Sequence, residues 1–180
     1  FEKVQRRLEK NRRAAASGKA KEDYLLTTNE TKIDVGNGTS VNSSSSFVFS
    51  NDEYLYVGEF HDGVSYVTNH PYQTNDGEYN AIVEKFLISD FLSLSKAAPL
   101  EVYSIRNNVQ GFAINESGDI YLSTSFGLTS SIYYKYPAGS LTKTDLEFEG
   151  APVSYLDGEF VTLTGPAMSE DLDYSEGKLI

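Results

Sequence analysis

Four polar residues at the ends of short apolar runs are the ones best placed to do chemistry in this 180-residue sequence. Glu59 follows "YLYVG", Gln110 opens "QGFAI", Ser125 follows "IYLST", and Glu170 lies in "MSED" ahead of the last such run. Carboxylate, amide and hydroxyl groups converging at strand ends can hold a small polar molecule, a glycan or a cation. The plainer alternative is that strands turn polar where they emerge into water. His61 and His70, the only histidines, are nine residues apart in "HDGVSYVTNH", with Asp62 beside the first and Pro71 after the second. Two imidazoles and a carboxylate suit zinc ligation or general-base work. Neither H-x-H nor H-E-x-x-H spacing is present, so loop histidines on an outer connection are the simpler expectation.

Other constellations fall short of a site. Asp52, Asp62, Asp76 and Asp119 lie in Gly/Asn-containing turns that can offer oxygen ligands to a divalent cation such as calcium, but none fits an EF-hand loop. Ser123, Ser125 and Ser131 lack a G-x-S-x-G elbow, and "GNG" and "DGEYN" lack phosphate-loop context. The absence of cysteine excludes disulfides, thiolate nucleophiles and Cys-ligated metal centres. Four N-x-S/T sequons begin at Asn29, Asn37, Asn42 and Asn115, a number that a Ser/Thr-rich chain with eleven Asn does not make informative.

The charge balance narrows the partners. Residues 1–22 carry eight Lys/Arg against three Glu, whereas residues 23–180 carry seven against twenty-three. An acidic body repels a phosphate backbone, so nucleic acid is not an expected partner. No apolar stretch approaches the roughly 20 residues that span a bilayer as a helix.

The elements that must position these residues are mostly strands. Residues 1–22 read as a basic helix with Phe1, Val4 and Leu8 on one face. Residues 23–45 read as linker, with the Gly/Ser/Asn-rich stretch 36–46 as surface loop. From residue 46 onward, "FVFSNDEYLYVGEF" (47–60), "GFAINESGDIYLSTSF" (111–126) and "DLDYSEGKLI" (171–180) read as three copies of one hairpin. Aligned through their turns, they bring Tyr54-Leu55, Ile120-Tyr121 and Lys178-Leu179 into register. Further strands are expected at 80–89, 100–105, 130–137 and within 152–164. About four antiparallel strands per sixty residues is the pattern of a β-propeller blade. A two-sheet sandwich competes, but it does not predict a repeated internal hairpin.

The pieces "YLYVGEF", "VQGFAINESGDIYLSTSFGLTSSIYYKY" and "GPAMSEDLDYSEGKLI" resemble the C-terminal half of exported bacterial β-propeller proteins, and more broadly the NHL, gluconolactonase and streptogramin-lyase-like propellers. The resemblance implies an all-β chain that is part of a propeller, with two four-stranded blades and the start of a third over residues 46–180. It also implies an extracellular or cell-surface location and a ligand-accessible channel. Gluconolactonase-like members hold a divalent metal with carboxylate and Asn side chains, a set that does not map residue by residue onto this sequence.

In propeller geometry the innermost strands line the channel and their ends form its mouth. That places Gln110, Glu170 and Ser45 at one repeated position, and Glu59 and Ser125 at another. The leading expectation is therefore a binding or assembly module that holds a small molecule, glycan or protein at Glu59, Gln110, Ser125 and Glu170. The second is a metal-assisted, lactonase-like hydrolase or lyase, with Glu59, His70 and Glu170 as candidate ligands or acid/base groups. The third hairpin reaches Ile180 inside its second strand, so further residues or neighbouring copies are expected to cover the open edge.

Overall fold

Alternating apolar residues and short polar turns set the local structure. In the computed structural model, which describes residues 31–34, 40–43, 45–63, 79–93, 97–125 and 127–180, nearly every element is a strand. The expected basic helix at 1–22, much of the linker and His70 lie outside the described residues. Within the expected linker, β1 (Thr31–Asp34) and β2 (Ser40–Ser43) pair antiparallel. The segment around Val41 is thus strand rather than loop.

The first large sheet starts as a meander of β3 (Ser45–Ser50), β4 (Tyr54–Glu59), β5 (Ala81–Leu87) and β6 (Glu101–Ile105), each antiparallel to the last. Asn51 caps the β3–β4 turn, its Oδ1 accepting from the N–H groups of Glu53 and Tyr54 at 3.0 and 2.8 Å. After Leu87 the chain enters a short helix, α1 (Ile88–Ser93), so the strand expected over 80–89 stops two residues early. It stops where its partner β4 begins, at the Tyr54–Leu87 pair.

The second sheet contains β7 (Val109–Ile114), β8 (Ile120–Thr124), β9 (Ser130–Tyr136) and β12 (Val161–Ala167), all antiparallel. Between β9 and β12 the chain makes a hairpin of β10 (Leu141–Phe148) and β11 (Ala151–Leu156), turning through Glu149 and Gly150 with φ of 52° and 81°. Two left-handed residues give the turn whose twist matches the flanking strands. This hairpin joins the first sheet: β11 pairs parallel to β6, with Val153 opposite Val102. The first sheet therefore has six strands and one parallel pair, not the four antiparallel strands expected of it. The hairpin earns its place by burying Phe148, Ala151 and Val153 against Ile82 and Val102.

The two sheets share one core. Phe112 of β7 is 1% exposed, its ring centroid 5.3 Å from that of Tyr56, 6.1 Å from Phe49 and 6.4 Å from Phe47. Full burial of such a side chain contributes about 1.5–3 kcal/mol. Arg106, just after β6, ties the sheets further out. Its guanidinium carbon lies 4.9 Å from the Tyr79 ring centre, 4.7 Å from Tyr134 and 5.2 Å from Phe160.

The opposite face of the second sheet receives the third hairpin, β13 (Tyr174–Ser175) and β14 (Lys178–Leu179). A Cβ added to Gly111 would meet backbone atoms of Asp171 and Leu172 at 2.9 Å, so only glycine lets that segment lie so close. Tyr174 stacks on Tyr121 at 5.9 Å, and Leu172 is buried. Among the described residues no sheet closes on itself. The all-β class is what composition and periodicity predicted.

Candidate functional site

Antiparallel succession brings the ends of β4, β6 and β8 and the starts of β3, β5, β7 and β9 to one edge of the two sheets. Glu59 ends β4 there and is 1% exposed. Two residues on, His61 is equally buried, because the β6–β7 turn closes over it: the Asn108 N–H donates to the His61 carbonyl at 2.8 Å. Asn108 adopts φ of 61°, a left-handed conformation that asparagine tolerates better than most residues. The His61 ring is oriented by the Gly63 N–H, which donates to Nδ1 at 3.2 Å and so leaves the proton of a neutral imidazole on Nε2. Beside it Asn107 Oδ1 accepts from the Asn80 N–H at 3.0 Å.

The same turn reaches the second sheet. The Asn108 carbonyl accepts from the Ser125 N–H at 3.3 Å, and Ser125 Oγ donates to Gln110 Oε1 at 2.9 Å. Gln110 occupies a β-bulge, the ladder stepping from Val109–Thr124 to Gly111–Ser123 around it. The first sheet has the same irregularity at the same place, with Ser46 bulged between Ser45–Glu59 and Phe47–Gly58. Bulges re-aim side chains and are common beside functional sites.

These bulges correct the expected register. Gln110 corresponds to Ser46, not Ser45, and Glu59 to Thr124, not Ser125. The turns differ in length: Ser50 pairs with Leu55 in one hairpin, Ile114 with Ile120 in the next and Ser175 with Lys178 in the third. Aligning through them shifts each strand by a residue or more.

The expected site residues are therefore partly assembled. Gln110 and Ser125 are bonded to each other, and Glu59 stands two residues before His61, whose carbonyl accepts from Asn108 in the turn that also holds Ser125. Glu170 is exposed, in a segment that crosses the other face of the second sheet, where the Ser169 carbonyl accepts from Ser123 Oγ at 2.6 Å and its N–H donates to Ser131 Oγ at 3.0 Å. His70 lies outside the described residues. Among the described residues no group of three His, Asp or Glu side chains has the geometry to hold a metal ion.

Sequence reasoning passed over Asn80, Asn107 and Glu84, and it read His61 as a loop histidine, whereas the side chain is buried. For His61 the usable signal was alternation: in "YLYVGEFH" it continues the face of Val57 and Glu59. Glu84 shares that face, paired with Val57 and so a diagonal neighbour of Glu59. Burial, then the nearby Glu149 and Glu59, push its carboxyl up to about 8.

The calcium candidates separate to different places. Asp119 sits at the far edge, with one oxygen accepting from the Ala138 N–H at 3.0 Å and the other 2.8 Å from Lys135 Nζ. The Asn115 side chain is likewise engaged, donating to Asp119 and to the Tyr121 hydroxyl, both at 3.3 Å. Asp62 follows His61 at the polar edge, and Asp76 lies outside the described residues. Comparison with protein-family models, curated proteins and solved structures gives no match.

Proposed function

We propose that this chain is part of a β-propeller-type binding module that holds a small polar molecule, a glycan or a protein segment at the edge formed by Glu59, Gln110 and Ser125. The observation that carries the reading is the chain of hydrogen bonds from the His61 carbonyl through Asn108 and Ser125 to Gln110, which fixes polar groups of both sheets along one edge. A fixed polar edge over an apolar core is suited to recognition, since its groups lose little freedom when a ligand binds. Supporting the propeller reading are two successive meanders with bulges at matching positions and a third hairpin docked on the second sheet. An exported, extracellular or cell-surface setting is part of the same reading, and its support is the resemblance in sequence.

A thermal-shift screen of polar metabolites and oligosaccharides tests this. At least one probe should give a saturable rise in melting temperature that Gln110→Leu removes. A rise unaffected by Gln110→Leu and Glu59→Gln would place binding elsewhere. Elemental analysis of the purified chain addresses the lactonase-like alternative, which requires a bound divalent ion that Glu59→Gln or Glu170→Gln displaces.

A further inference from the structure

Tyr136 is wholly buried at the end of β9, and its hydroxyl has no hydrogen-bond partner. It lies beside the Arg106 guanidinium and the Tyr79 hydroxyl but meets neither with hydrogen-bond geometry. Arg106 turns instead to Tyr79, its Nη1 donating to that hydroxyl. Buried polar groups are nearly always satisfied, and one that is not calls for an explanation, such as a group that enters from outside the chain. Burial, before any neighbour, pushes the Tyr136 hydroxyl above the ordinary phenol range, so it keeps its proton and can donate.

The surrounding groups define the chemistry of such a partner. Two donors stand side by side, the Tyr136 O–H and the planar fork of Arg106, and an anionic oxygen is what accepts from both. A guanidinium matches carboxylate and phosphate alike. Residues 23–180 carry seven Lys/Arg against twenty-three Asp/Glu, a field that opposes a multiply charged phosphate more than a carboxylate. Phe160 leads from solvent to this point. It is 40% exposed, and its ring centroid lies 5.2 Å from those of Tyr134 and Tyr136 and 5.2 Å from the guanidinium carbon. An exposed ring face favours a ligand that carries a ring of its own.

We infer that Arg106 and Tyr136 form a carboxylate site between the two sheets, which takes a small monocarboxylate whose ring lies against Phe160. The carboxylate accepts from the Tyr136 hydroxyl and from the guanidinium, which keeps its place over the rings of Tyr79 and Tyr134. Tyr136 ends β9, whose start lies at the polar edge, so this site is distinct from the one at Glu59, Gln110 and Ser125. Sugar acids and aromatic acids share the required chemistry.

Titration calorimetry of the full chain with glucuronate and with benzoate, each beside its neutral counterpart, glucose or benzyl alcohol, tests the site. At least one acid should bind saturably while its neutral counterpart does not, and which acid binds separates the sugar source from the aromatic one. Tyr136→Phe should weaken that binding about tenfold or more, since it removes one hydrogen bond to a charged group. The same variant should leave the unfolding midpoint of the ligand-free chain unchanged or raised, because the hydroxyl it deletes makes no bond there. A hydroxyl served by a buried water alone gives the opposite pattern: no acid binds, and Tyr136→Phe lowers the midpoint. Either of those results overturns the inference, as does acid binding that Tyr136→Phe leaves intact.

Discussion

Ser125 and Gln110, fifteen residues apart in the chain, meet through a 2.9 Å hydrogen bond at a β-bulge, where the Ser125 amide is also held by the turn that covers His61. Gln110 is thus aimed by its neighbours on both sheets. Replacing Ser125, 4% exposed, with alanine should cost about 0.5–1.5 kcal/mol by denaturant unfolding and should release the amide. Ligand affinity should fall with it, whereas Ser125→Thr, if its hydroxyl keeps the bond, should retain most of the binding.

Gly111 tests whether the third hairpin is docked as described. In Gly111→Ala the new methyl meets backbone, which cannot swing aside as a side chain would. The expected result is a loss of about 1–3 kcal/mol and faster hydrogen exchange over residues 171–180. Unchanged exchange there would mean that the segment does not lie on β7.

The Arg106 guanidinium lies among three aromatic rings drawn from both sheets. Arg106→Ala should destabilise the chain by about 1–3 kcal/mol, and Arg106→Lys by less, since a point charge keeps some attraction to the rings but loses the planar stacking. Equilibrium unfolding of the two variants checks the order.

Glu84 gives a pH dependence of defined sign. Its carboxyl holds a proton to about pH 8 in the folded chain but ionises in the ordinary carboxylate range when unfolded. Between those values the native state binds more protons, so stability should decline as pH rises from about 4.5 to about 8. The decline should be a few kcal/mol at most, and Glu84→Gln should flatten this part of the profile. A Glu84→Gln profile identical to wild type would show that the carboxyl is not shifted.

Strand positions were legible in the sequence to the extent that alternation was clean. "FVFS" with "YLYVGE" and "GFAI" with "IYLST" show it plainly, and both form the expected hairpins. Register was not, because it depends on turn length, and turns of similar composition around Asn51, Asn115 and Glu176 differ in the number of residues they hold. The β10–β11 hairpin escaped notice for another reason. "LTKTDLEF" presents mostly exposed polar residues, and its Glu-Gly turn lacks the Asn or Asp that usually marks two left-handed positions. Glu59, Gln110 and Ser125 lie at strand ends as alternation suggested, but burial of His61 depends on a turn forty-seven residues further along the chain.

Amide chemical-shift mapping with a saturating probe from the thermal-shift screen tests the central claim most directly. The predicted result is perturbation concentrated on His61, Asn108, Gln110 and Ser125, with the opposite edge at Asn51, Gly118 and Ala138 unmoved. Perturbation centred on that opposite edge, or spread evenly over both, would contradict the account.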